Sequence, residues 1–154
     1  MNRTVANMTE HTLRQYDIEL EEIRRGVLNM GGLAEAQVSR AFEGLRSGQL
    51  DLLDAVIEGD KPINLAQIEL DDDCSHIIAK RQPAAGDLRL VLAVIKIASD
   101  LERIGDEAKK IAKAARRLHS AETPFVPQVG LTQAVELALE LLRASPDAFA
   151  RVNP

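Results

Sequence analysis

From Leu90 to Leu118 the apolar residues return at alternating intervals of four and three: Leu90, Val94, Ile97, Leu101, Ile104, Ala108, Ile111, Ala115 and Leu118. Only an α-helix that buries one narrow stripe puts all of these positions on one side. A strand, with its period of two, would send about half of them to the opposite face. Asp87, three residues ahead of the stripe, is the expected cap.

Two earlier segments carry the same period. Tyr16, Leu20, Ile23, Val27, Met30, Ala34, Gln37 and Ala41 predict a helix from about Thr9 to about Arg46. Gly31-Gly32 falls inside it, and each glycine costs about 1 kcal/mol there, which points to close approach of another backbone or a slight bend rather than a break. After Ser47-Gly48, the residues Leu53, Val56, Ile63, Leu70, Cys74 and Ile77 predict a second helix from Leu50 to about Gln82, ended by Pro83 and Gly86. Long helices joined by short connections run antiparallel, so residues 1–119 are expected to form an all-α, antiparallel three-helix bundle. A linker is expected at 120–130, around Thr123-Pro-Phe-Val-Pro127. Beyond it, 131–154 holds a short, very apolar fourth helix whose pattern ends at Ser145-Pro146, with no further helix in sequence to cover it.

Composition narrows the function. With three Phe, one Tyr and no Trp, the core falls to Leu, Ile, Val and Ala, the usual filling of packed helices. A formal net charge of -5 argues against a broad grip on nucleic acid, which rests on Lys and Arg. A single cysteine, Cys74, makes no internal disulfide and reads as a buried thiol in a reducing cytoplasm. No signal-like run and no stretch of membrane-spanning length is present, so a soluble chain without membrane insertion is expected.

Glu102 and Asp106, in Asp100-Leu-Glu-Arg-Ile-Gly-Asp106, lie four apart on one helix face, where like charges repel unless a cation intervenes. The second helix carries a polar row of its own, Asp60, Asn64, Gln67 and Asp71, two of whose members occupy inward heptad positions. Counting both ways from a turn near Ala84 and Ala85 puts Gln67 level with Glu102, Asn64 with Asp106, and Asp60 with Lys109. Two such rows offer oxygen donors to a hard ion such as magnesium, manganese, calcium or ferric iron, and disfavour structural zinc. The same acids are also served by surface ion pairs with Arg103, Lys109 and Lys110, and both readings stand. His11, His76 and His119 fall on different elements. Asp73-Cys-Ser-His76 is a lone copy of the acid-x-x-His motif of di-iron bundles, and His76 reads as a surface residue. No nucleophile has a base and orienting acid, and no phosphate-binding glycine loop occurs, so no enzyme is expected.

Taken in order, Asp60-Lys-Pro-Ile-Asn64, Asp71 with Cys74, Arg81-Gln-Pro83, Asp87-Leu-Arg89 and Ile95-Lys-Ile97 lead into Asp100 to Asp106 and then Ile111-Ala-Lys113. With Met30-Gly-Gly-Leu-Ala-Glu35 ahead of them, they resemble the PhoU family of phosphate-transport regulatory proteins. The resemblance implies two tandem three-helix repeats, with E/D-x-x-x-D motifs that bind multinuclear iron or zinc, manganese or magnesium. Glu102 and Asp106 match one motif, while Gln67 stands where the family often has an acid four before Asp71. It further implies a cytoplasmic negative regulator of phosphate uptake and of the starvation response. Such a protein is an adaptor between the transporter ATPase, PstB, and the sensor histidine kinase, PhoR, without catalysis of its own. Only the start of a second repeat follows 131, so an exposed apolar stripe and a homodimer that restores the missing symmetry are expected.

Overall fold

A computed structural model describes residues 2–120 and 130–151, with side chains from residue 13 onward in the first helix. Helix α1 runs Asn2–Ser47, α2 Leu50–Glu58, α3 Asp60–Arg81, α4 Ala85–His119 and α5 Leu131–Arg151. Thr9, the expected start of the first helix, lies well inside α1. The expected linker falls largely on 121–129, outside the described residues.

Helices α1, α4 and the α2–α3 pair form the antiparallel three-helix bundle read from the periodicity. The second predicted helix is two. Pro62 explains the break, because it has no N–H for the Glu58 carbonyl four residues back and its ring crowds that carbonyl. Gly59 takes up the junction, donating its N–H to the Ala55 carbonyl at 2.9 Å. A Cβ on Gly59 would come within 2.7 Å of the Gln37 amide, which enters from α1 and donates to the Val56 carbonyl at 2.8 Å. That bond satisfies a carbonyl in the last turn of α2, where intrahelical donors run out.

The stripe of α2 and α3 is buried as predicted, with Leu53, Val56, Ile63, Leu70, Cys74 and Ile77 all inside. On α4 the buried set is Val91, Val94, Ala98, Leu101, Gly105, Ala108, Ala112 and Ala115. Four expected positions are thus displaced by one residue, from Leu90, Ile97, Ile104 and Ile111 to their C-terminal neighbours, and Leu118 is half-buried. Close packing is the reason: α4 lies against both α1 and α2–α3, and small side chains fit where the helices approach most closely. A Cβ on Gly105 would already meet Ile63 Cδ1 at 2.8 Å. Leu90, Ile97 and Ile104 flank the core instead, and Ile111 is exposed.

The α3–α4 turn departs from expectation in one detail. Asp87 does not cap α4, which begins at Ala85 after Ala84. Its carboxylate accepts instead from the Tyr16 hydroxyl of α1 at 2.9 Å. Burial first, and then this hydrogen bond, push the Tyr16 phenol up to about 12. Nearby, Arg81 of α3 forks onto Glu19 of α1 at 2.6 and 2.9 Å, tying the turn end of the bundle together.

Helix α5 continues through Pro146 to Arg151 rather than ending at Ser145, and it packs along α1. The Pro146 ring sits so close to Gly31 that a Cβ there would lie 2.9 Å from its Cγ, which accounts for that glycine. Leu142 and Phe149 reach the main core, and Arg143 pairs with Glu35 at 2.6 Å. No residue of α5 is fully buried, and Leu137 and Leu141 stay 57% and 63% exposed.

Candidate cation site between α3 and α4

The core divides into two clusters. One is built of larger side chains, among them Ile23, Val27, Met30, Ile63, Leu70, Val94 and Leu101, and the other of Ala41, Leu53, Val56, Ala108, Ala112 and Ala115. The buried polar residues Gln37 and Asp60 lie at the α2–α3 junction, beside the second cluster. A buried carboxylate at 4% exposure needs a partner, since its desolvation costs several kcal/mol.

Lys109 of α4 supplies that partner, its Nζ donating to Asp60 Oδ2 at 2.5 Å. The pairing puts Asp60 at the level predicted from the turn. Hydrogen bonding to Asp60 raises the Lys109 ammonium above its ordinary range. Asn64 Nδ2 donates to the same Oδ2 at 3.3 Å. Asp60 Oδ1, Asn64 Oδ1 and Asp71 Oδ1 are all buried and accept no hydrogen bond from the described residues. Gln67 is half-buried between them on the same edge. The predicted row is therefore real as one edge of α3, and its unsatisfied atoms are all oxygens.

Glu102 and Asp106 are both half-buried on α4. Asp106 already holds Lys110 at 2.8 Å, and that hydrogen bond lowers its carboxyl below the usual carboxylate range. Lys110 also reaches Glu107 at 2.9 Å. Ion pairing with Lys109 and Lys110 is thus present, as the sequence allowed. His76 is exposed, as read, and shares a hollow of about 260 Å³ with Gln15, Glu19, Glu22 and Asp73. Cys74 is buried, and burial, with Asp71 adding, pushes its thiol up to about 12. At the other end of α4, Lys113, Arg116 and Arg117 surround a hollow of about 550 Å³ with Ile57 and Ser120. Attention to the acids passes over that basic end, although Lys109 to Arg117 spells it out in sequence.

A PhoU domain model matches residues 27–115, which takes in the C-terminal part of α1, all of α2 and α3 and most of α4. The chain belongs to the PhoU family. It is 43% identical over 148 residues to the phosphate-specific transport system accessory protein PhoU of Edwardsiella tarda, covering 96% of this chain and 60% of that protein. The PhoU of Escherichia coli (strain K12) is 41% identical over 148 residues, with 96% and 61% covered. A PhoU homolog of Aquifex aeolicus (strain VF5) is 38% identical over 131 residues. The chain spans about three fifths of the length of these curated relatives. None of its described helices is long and apolar enough to cross a membrane.

For a PhoU-family chain the test of a metal site is its donors. Three buried oxygens without hydrogen-bond donors suit a hard cation in kind. Among the described residues, however, no three His, Cys, Asp or Glu side chains come together as a metal-holding group. Asp60 and Asp71 lie about 16 Å apart along α3, so ions here would draw on different parts of the row, with the Asn64 and Gln67 amide oxygens between them. Lys109 meanwhile holds the most deeply buried carboxylate of the set.

Proposed function

We propose that this chain is a regulatory adaptor of phosphate uptake that works by binding, with no catalytic step. The observation that carries the reading is the 41–43% identity, spread over 96% of the chain, to proteins named as accessories of the phosphate-specific transport system. As a negative regulator in the cytoplasm it contacts the transporter's PstB-like ATPase and a PhoR-like sensor histidine kinase. The experiment is complementation. In bacterial cells that lack their own PhoU, expressing this chain lowers a phosphate-starvation reporter in phosphate-rich medium, whereas an unchanged reporter contradicts the reading.

Metal is part of the proposal. Asp60, Asn64, Gln67, Asp71, Glu102 and Asp106 hold divalent or trivalent ions along the α3–α4 seam, and their oxygens favour iron, manganese or magnesium over zinc. Such ions bind the folded state, so they raise the thermal midpoint. Glu102→Ala with Asp106→Ala abolishes the rise seen with manganese; an equal rise in both proteins sinks this part. A metal-free interaction bundle is the second reading, favoured by Lys109 on Asp60 and Lys110 on Asp106.

A homodimer completes the proposal. Leu131, Leu137 and Leu141 of α5 are exposed on a helix with no fully buried residue, and a second copy covers them. Light scattering then gives twice the chain mass, falling to a single mass for Leu137→Glu with Leu141→Glu; a monomeric parent protein removes the dimer.

A further inference from the structure

From Lys109 onward, every Lys and Arg of α4 but two is held by an acid. Lys109 holds Asp60, Lys110 holds Asp106 and Glu107, and Arg116 holds Asp54 at 3.0 Å. Lys113 and Arg117 form no hydrogen bond or ion pair among the described residues. Lys113 acts on Asp106 only at a distance, that carboxylate being held by Lys110. Both free cations are exposed, and with Arg116, Ser120 and the partly buried Ile57 of α2 they surround the hollow of about 550 Å³. Its lining holds three cations and no acid. The helix end explains part of this charge, because cations in a last turn complement the exposed carbonyls, as Arg116 and Arg117 do. That effect fades within one turn, and Lys113 stands further in.

We propose that this hollow is the docking site for an acidic segment of a partner protein, whose carboxylates meet Lys113 and Arg117 while one apolar side chain rests on Ile57. The proposal rests on the reading above that the chain works by binding. Charge complementarity is local: an approaching group feels charges within about 8 Å at physiological salt, so the hollow attracts carboxylates although the chain as a whole carries a formal net charge of -5. Arg116 and Asp54 are 53% and 48% exposed, so their pairing is weak and Arg116 is available to a competing carboxylate. Size and lining choose the occupant. One water takes about 30 Å³, so the hollow far exceeds a single oxyanion, and its exposed cations do not enclose one. No aromatic side chain lines it for a nucleic-acid base to stack on. Ile57 gives an apolar floor that a free anion leaves unused, whereas a protein segment uses the floor and the cations together.

The test uses the full chain and a fluorescein-labelled short peptide with Glu on both sides of a central Leu, read by fluorescence anisotropy. The parent is expected to bind it, more weakly as sodium chloride rises from about 50 to about 200 mM. Lys113→Glu with Arg117→Glu lowers the affinity at least about tenfold, and Lys113→Gln with Arg117→Gln lowers it less, keeping the test open if the reversal unfolds the helix end. A peptide with Gly in place of Leu binds more weakly than the Leu peptide. Absence of binding to the parent, or equal binding by parent and folded variants, overturns the proposal. Equal binding of the Gly and Leu peptides overturns it too, leaving only a charged surface. Displacement of the peptide by millimolar inorganic phosphate assigns the hollow to a small anion instead. The phosphate-regulation reading fails separately: complementation lost while the peptide still binds counts against that reading alone, and complementation retained without peptide binding counts against this one alone.

Discussion

On α3, Asp60 lies almost wholly buried and three oxygens of its row accept no hydrogen bond from the described residues; on α4, Glu102 and Asp106 are half-buried, and Asp106 already holds Lys110. The two edges carry similar chemistry at similar spacing. Burial separates them. A carboxylate beside water keeps most of its solvation, and its ion pair contributes about 0–1 kcal/mol. A carboxylate taken out of water depends on the one cation that reaches it, so losing that cation is expensive. The α4 pair is conspicuous in sequence, but the α3 row is where charge and structure are coupled.

Lys109→Met breaks this contrast most sharply. It strands Asp60 without its cation and costs about 3 kcal/mol by urea denaturation, the low end for a broken buried pair because Lys109 keeps some exposure. Asp60→Ala removes the buried charge itself and frees an ammonium that reaches water, so it costs less, about 1–2 kcal/mol; the reverse order would mean that Asp60 is not the desolvated partner.

Glu19→Gln tests a second cross-helix tie, the fork of Arg81 onto Glu19, and costs about 1–2 kcal/mol at neutral pH. The Arg81 hydrogen bond holds the Glu19 carboxyl below its unfolded range, so the stabilisation is present above that range and is lost as pH falls through the folded value. Parent and Glu19→Gln urea midpoints therefore converge in acid, and a gap that persists there contradicts the assignment. Glu102→Ala with Asp106→Ala changes metal-free stability by no more than about 0.5 kcal/mol, because the removed groups are solvated; a loss above about 2 kcal/mol would make the α4 pair as structural as the α3 row.

Tyr16 gives the smallest and cleanest effect. It is the only tyrosine in a chain without tryptophan, so phenolate absorbance reports it alone. The native titration is centred near 12, above an unfolded value near 10, so the Tyr16 contribution is intact below pH 10 and fades as pH rises through the folded value. A native midpoint at 10 would mean that Tyr16 is neither shielded from water nor bonded to Asp87.

Much of the bundle is legible in the sequence because large apolar residues mark it. The α2–α3 stripe from Leu53 to Ile77 is buried to the residue, and counting from the turn brings Asp60 to Lys109. The stripe of α4 slips because spacing arguments weigh large side chains, whereas close packing on two sides selects Ala98, Gly105 and Ala112. The break at Gly59 was visible in Pro62, read against the Glu58 carbonyl it obstructs. Continuation of α5 past Pro146 was not visible, since the Gly31 surface that its ring meets lies on another helix. At the candidate site the row on α3 was legible as spacing alone. Its depth, and the choice of Lys109 over Arg103 or Lys110 as partner of Asp60, depend on helix rotation, which sequence period fixes only to within a residue.

A double-mutant cycle on Asp60→Ala and Lys109→Met, followed by urea denaturation without metal, tests the coupling across the α3–α4 seam most directly. The two losses are predicted to fall short of additivity by about 2 kcal/mol, because each substitution removes the partner of the other. Additive losses would show that the buried carboxylate does not depend on Lys109 and would contradict this account of the seam.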